Sequence, residues 1–287
     1  MTTHSKSLST SLLMPATAST SEFGPLPTAE RWTLIGAVTA VTASGWGWML
    51  YMDWMMRDMM RGGPSIAWMP PPAGAGGWSG YDFWMLFVMW AIMMVAMMTP
   101  SAVPMLRMYR IVQRNRSQQT LKAVPWMIFL VGYLASWTAF SAVISVVQWP
   151  LHEWGLLDPM MDSRSQLFSG ILLIVAGLYQ WTPWKDACLT LCRTPMQFLL
   201  ARWKDGRTGA LQMSFEHGLY CIGCCWALML VLFAVGMMNM LWVAAITLFV
   251  IVEKALPSPA QLFRTITGLL LASSGFWLLL LHFQGPT

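Results

Sequence analysis

The sequence predicts an all-α fold, a polytopic transmembrane helix bundle of about seven spans, and three observations carry that prediction. Of 287 residues, 56% are hydrophobic and only 10% charged, with a mean hydropathy of +0.54. A soluble domain carries roughly 25% charged residues, so this chain cannot cover a water-facing surface. Seven apolar segments of about the length that crosses a bilayer follow one another along the chain. Lys and Arg collect in alternate loops between them, the pattern that orients spans in a membrane. The 18 tryptophans fit a bilayer, where indole sits at the lipid–water boundary. The 26 methionines do not follow from it, because lipid-facing helices favour Leu, Ile, Val and Phe.

Residues 1–31 are rich in Ser, Thr, Pro and Ala and read as a disordered tail with no signal-peptide core, ahead of a helical domain over 32–287. Span one is expected at Trp32–Met52. The loop behind it holds Gly62-Gly63-Pro64 and Pro70-Pro71-Pro72, irregular backbone that belongs outside the hydrocarbon. Span two, Asp82–Leu106, should kink at Thr99-Pro100 and Pro104. Spans three and four follow at Ala123–Gln148 and Ser165–Trp181. From Pro183 to Trp203 apolar and basic residues alternate, as in an amphipathic helix lying in the membrane interface. Spans five and six, His217–Met238 and Met240–Leu256, form a hairpin turned at Gly236-Met237-Met238-Asn239, and span seven runs from Leu262 to Phe283.

The loop after span two carries Arg107, Arg110, Arg114, Arg116 and Lys122 and no acid. The loop after span four carries Lys185, Arg193, Arg202, Lys204 and Arg207 against Asp186 and Asp205. Both are expected in the cytoplasm, which places the N-terminus inside and the C-terminus outside. The net charge of +5 and pI near 9.1 thus reflect topology. They do not indicate nucleic acid; the expected surroundings are lipid.

All five cysteines fall between Cys188 and Cys225. Cys188 and Cys192 are spaced i, i+4 and share a face if their segment is helical. Span five opens with His217, Cys221, Cys224 and Cys225, which at about 100° per residue present an imidazole and three thiols on one face. Soft thiolates with an imidazole favour Cu(I) first and Zn(II) second. A reducing cytoplasm would keep the thiols free, whereas the opposite orientation would allow a Cys188–Cys192 disulfide.

These segments resemble one family. The runs Trp181-Thr182-Pro183-Trp184-Lys185, Cys188…Cys192-Arg193-Thr194-Pro195, His217-Gly218…Cys221…Gly223-Cys224-Cys225-Trp226 and Glu253-Lys254 are similar to those of an uncharacterised bacterial family. Met93-Met94-Val95-Ala96-Met97-Met98-Thr99-Pro100 fits it too. Its members are described as predicted metal-binding integral membrane proteins. The resemblance spans residues 80–283 and implies several spans, a metal and a bacterial inner membrane, but no reaction.

The methionines are ordered as well. Met85, Met89, Met93 and Met97 recur four residues apart, a thioether stripe along one helix face, with Met94 and Met98 in parallel. Met49, Met52, Met55, Met56, Met59 and Met60 cluster at the outer end of span one with Asp53 and Asp58 among them. Met160-Met161-Asp162 and Met237 to Met240 fall on the same side. Thioethers hold Cu(I) and bind hard cations poorly; any one of these methionines could equally be packing.

The expectation is therefore copper(I) handling, either transport or delivery to a membrane cuproenzyme, with a metallochaperone or that cuproenzyme as partner. His217, Cys221, Cys224 and Cys225 would be primary ligands, Cys188 and Cys192 auxiliary ones, and Met93 and Met97 relay ligands. Glu253, an acid near the inner end of span six, is a further ligand or base, unless it simply snorkels with Lys254. Two alternatives stand beside this: a membrane metalloenzyme, and a structural subunit stapled by its metal. No Ser/His/Asp set, phosphate-binding Gly loop, or quinone or haem motif is present to favour catalysis.

Overall fold

A computed structural model describes residues 26–61, 79–116, 124–155, 157, 165–237, 239–255 and 260–284. Residues 1–25 of the tail, the Gly- and Pro-rich loop, Lys122, Met160-Met161-Asp162 and Met238 lie outside the described residues.

The described chain is built from α1 (Thr28–Met60), α2 (Gly80–Met98), α3 (Val103–Arg116), α4 (Val124–Glu153) and α5 (Gln166–Tyr179). It continues through α6 (Pro183–Arg193), α7 (Pro195–Arg202), α8 (Gly206–Val235), α9 (Met240–Ala255) and α10 (Ala260–Gln284). The all-α expectation holds. Element boundaries follow local chemistry. Ser79 and Asp82 form a reciprocal cap at the start of α2, with Ser79 N donating to Asp82 Oδ2 at 2.8 Å. The expected kink is a full break: α2 stops before Pro100, a short 3-10 turn spans Pro100–Ala102, and α3 restarts at Val103. Pro195 likewise splits the single amphipathic helix expected over Pro183–Trp203 into α6 and α7. Asn239 closes the α8–α9 turn, its Oδ1 accepting from Leu241 N at 3.2 Å, as a turn residue should.

Among the described residues, five stretches are long and apolar enough to cross a membrane: Thr28–Asp58, Gly80–Met98, Trp126–Glu153, Gly206–Val235 and Gln261–Gln284. The other two expected spans differ. Expected span four is α5, which bends by 64° into α6 at Thr182-Pro183, and only the pair together is long enough. Expected span six is α9, whose 16 residues rise only about 24 Å, short of the ~30 Å hydrocarbon core.

α8 is the centre of the bundle, packing on α4, α5 and α6, while α2 packs on α1 and α4. α5 and α10 pack through glycine: a Cβ on Gly177 would stand 2.7 Å from the Gly268 carbonyl oxygen, an approach typical of helices that meet without water to expel. Arg107, Arg110 and Arg114 of α3 and Arg202 of α7, which packs on α3, lie at one end of the bundle. The α8–α9 turn lies at the other, where α1 ends and α2 begins. The outward surface is apolar, with exposed Trp54, Trp84 and Trp154 toward the turn end and exposed Trp32 and Trp184 toward the basic end. That is the placement of interfacial belts.

Candidate metal centre

The site forms where α6 folds back onto α8. Thr182 caps α6, accepting from Lys185 N at 3.3 Å, and Pro183 occupies the first turn, where its missing N–H costs nothing. Leu189 is fully buried and anchors the helix. On α8, His217, Cys221, Cys224 and Cys225 are all buried. Gly223 lets the two helices meet. A Cβ there would stand 2.7 Å from Cys188 Sγ, and the Gly223 carbonyl accepts the Tyr179 hydroxyl.

This contact joins the two cysteine groups. Cys192 Sγ and Cys224 Sγ are 4.0 Å apart. The expected auxiliary residue Cys192 is thus an immediate neighbour of Cys224 on α8. Cys188 sits half-buried one turn earlier. All five cysteines are free, so the alternative of a Cys188–Cys192 disulfide is not realised. Cys224 and Cys225 donate back to the Cys221 carbonyl at 3.1 and 2.7 Å.

Cys221 has a partner that sequence reasoning missed. Lys254 Nζ lies 2.8 Å from its Sγ and 3.0 Å from Ser101 Oγ, and the Tyr133 hydroxyl lies 3.1 Å from the same sulfur. Tyr133 and Ser101 both donate to the Met98 carbonyl, at 3.2 and 2.8 Å. Lys254 therefore turns into the bundle instead of snorkelling. The available signal was its position on a short apolar helix beside a second charge.

Glu253 is committed elsewhere. Its carboxylate pairs with Lys185 Nζ at 2.8 Å, both side chains fully buried, and its main-chain oxygen accepts from Arg193. It clamps α9 to α6. Lys185, counted above among the loop cations, is in fact a core residue. Arg264 extends the clamp to α10 through Asp186 at 2.7 Å.

His217 packs among the rings of Phe198, Tyr133 and Phe129, with centroids at 5.5, 5.9 and 6.5 Å, and its Nδ1 has no hydrogen-bond partner. Met93 and Met97 are buried on α2, in the same core cluster as Cys221, Cys224 and Cys225. His152 is a fully buried residue of the last turn of α4.

Among the described residues, no three Cys, His, Asp or Glu side chains converge closely enough to hold an ion as they stand. The Cys192–Cys224 pair nonetheless fits one. With metal–sulfur bonds of about 2.3 Å, two thiolates on one ion stand from about 3.8 Å apart in tetrahedral geometry to about 4.6 Å when linear. The observed 4.0 Å lies inside that range.

A family model described as "PpoB2: Copper chaperone" matches residues 87–278, more than half the chain. The match takes in the α2 methionines from Met89 to Met98, every cysteine and Glu253-Lys254. No curated protein and no solved structure matches the chain.

Proposed function

The chain belongs to the PpoB2 copper chaperone family, and from that premise we propose that it takes up copper(I) in the bacterial inner membrane. It holds the ion between Cys192 and Cys224 beside Cys221 and delivers it to a membrane cuproenzyme. The observation that carries this reading is the 4.0 Å sulfur–sulfur approach between α6 and α8, two elements brought together only by folding. Thiolates are soft donors and select copper(I) over hard cations. Zinc would want a closed set of four ligands, and the pair offers two.

Charge supports the same assignment. Two thiolates on copper(I) leave one net negative charge, which is costly in an apolar core. The Lys254 ammonium beside Cys221 supplies the counter-charge. His217, with its unpartnered Nδ1 one turn before Cys221, is the nearest further donor on the same face. Cys188, half-buried one turn from Cys192, is placed to let a partner's ligand enter and the ion leave by exchange.

The test is metal content. The protein, purified in detergent under reducing conditions, should carry copper in stoichiometric amount and little zinc by mass spectrometry. Cys192→Ser with Cys224→Ser should lose it. The reading fails if the wild type holds no more copper or zinc than a Cys221/Cys224/Cys225→Ser variant.

A further inference from the structure

The other end of the bundle holds a second group of soft donors. A cavity of about 30 Å³ is lined there by Met49 and Met52 of α1, Met89 and Met93 of α2, Met237 of the α8–α9 turn and Met240 of α9. These six make up most of the lining, which Trp48 and Asp53 complete. The void has room for about one water-sized occupant. Met93 and Met237 are buried at its floor, while Met49, Met52, Met89 and Met240 are half-buried around it. A site reached from that end of the bundle follows.

The donors define what such a site accepts. Thioethers carry no charge and are soft, so they suit a soft monovalent ion and reject Zn(II), Mg(II) and Ca(II). The one carboxylate is occupied: Asp53 pairs with Arg57 through contacts of 3.1 and 2.5 Å. A hard divalent cation thus finds no available anionic oxygen. Packing accounts for single methionines, but four separate segments converging thioethers on an unfilled void is not what gap-filling residues produce.

We infer that this cavity is a copper(I) entry site, distinct from the thiol centre and feeding it. Met93 connects the two. Met97 lies one turn further along α2, about 6 Å toward the thiols, and Met98, next in the chain, lends its carbonyl to the Tyr133 and Ser101 network around Cys221. The ion enters on weakly held neutral thioethers and ends on thiolates, its charge and oxidation state unchanged throughout.

The inference rests on the copper(I) reading above, so the test separates the two. All five cysteines are changed to Ser in the full chain, which is titrated with copper(I) buffered by a colorimetric chelator. Selenomethionine labelling then allows X-ray absorption at the copper edge. The cysteine-free protein should still bind one weaker equivalent showing copper–selenium scattering. Met93→Leu with Met237→Leu, a volume-conserving pair, should remove that equivalent while the melting temperature stays near the parent's. If the cysteine-free chain binds no copper although the wild type does, the entry site is wrong and the thiol centre stands. Retained copper without copper–selenium scattering overturns it equally. If neither chain binds copper, both readings fall.

Discussion

A single lysine decides how much negative charge the thiol centre tolerates. Lys254 Nζ touches both Cys221 Sγ and Ser101 Oγ, so its ammonium is held in place by two partners. Replacing it with Met keeps the length and apolar stem of the side chain but removes the counter-charge. A bis-thiolate copper(I) unit would then be buried uncompensated. Lys254→Met should weaken copper affinity roughly tenfold, equivalent to about 1.4 kcal/mol, in competition against a copper(I) chelator. Lys254→Arg, which keeps the charge, should recover most of it. A purely structural lysine would lower the melting temperature and leave the affinity of the folded fraction unchanged.

Glu253 and Lys185 behave differently, because each is buried and each depends on the other. Breaking a buried pair by removing one partner costs about 3–5 kcal/mol, whereas replacing both with apolar residues is often neutral. Glu253→Gln should therefore destabilise the protein strongly in a detergent thermal melt. Glu253→Leu combined with Lys185→Met should restore much of the loss, and copper bound per folded chain should be unaffected throughout. Copper loss in the rescued double variant would instead make Glu253 the ligand its sequence position first proposed.

At the scale of elements, the thiol pair exists only because α6 and α8 approach closely, and Gly223 sets that distance. Gly223→Val would push Cys188 and its helix outward, separating Cys192 from Cys224 without touching either. Helical content measured by circular dichroism should persist while stoichiometric copper is lost. Retention of copper by Gly223→Val would mean that α8 binds the ion by itself.

Much of this element-level arrangement was legible beforehand. Helical spacing put His217, Cys221, Cys224 and Cys225 on one face, and Thr99-Pro100 marked a kink, because periodicity and proline act locally. What was not legible depends on register between helices distant in sequence. Nothing local shows that Lys254 reaches Cys221, or that Lys185 is a core residue paired with Glu253. Nor does it show that methionines from α1, α2 and the α8–α9 turn share one void. The fourth and sixth expected spans take a different form for a related reason: hydropathy registers apolar residues but not the bend at Thr182-Pro183 or the shortness of α9.

For the whole molecule, the two soft-donor groups at different depths give the bundle a polarity, and its direction depends on how the chain sits in the membrane. Arg107, Arg110 and Arg114 of α3, with Arg202, Lys204 and Arg207 after α6, gather at the thiol end. The rule that Lys and Arg stay cytoplasmic would therefore place the thiols toward the reducing cytoplasm and the thioether cavity toward the outside. Single reporters in a cysteine-free chain test this. Thr208→Cys, exposed in the first turn of α8, should react with a membrane-impermeant maleimide in inverted vesicles but not in intact spheroplasts. Tyr81→Cys, exposed in the first turn of α2, should do the reverse. The opposite labelling would place the thiols outside, where an oxidising compartment would threaten them with disulfide formation. Copper passing from weaker to stronger donors would then be moving outward, making the protein an exporter of the ion and no longer a receiver of it.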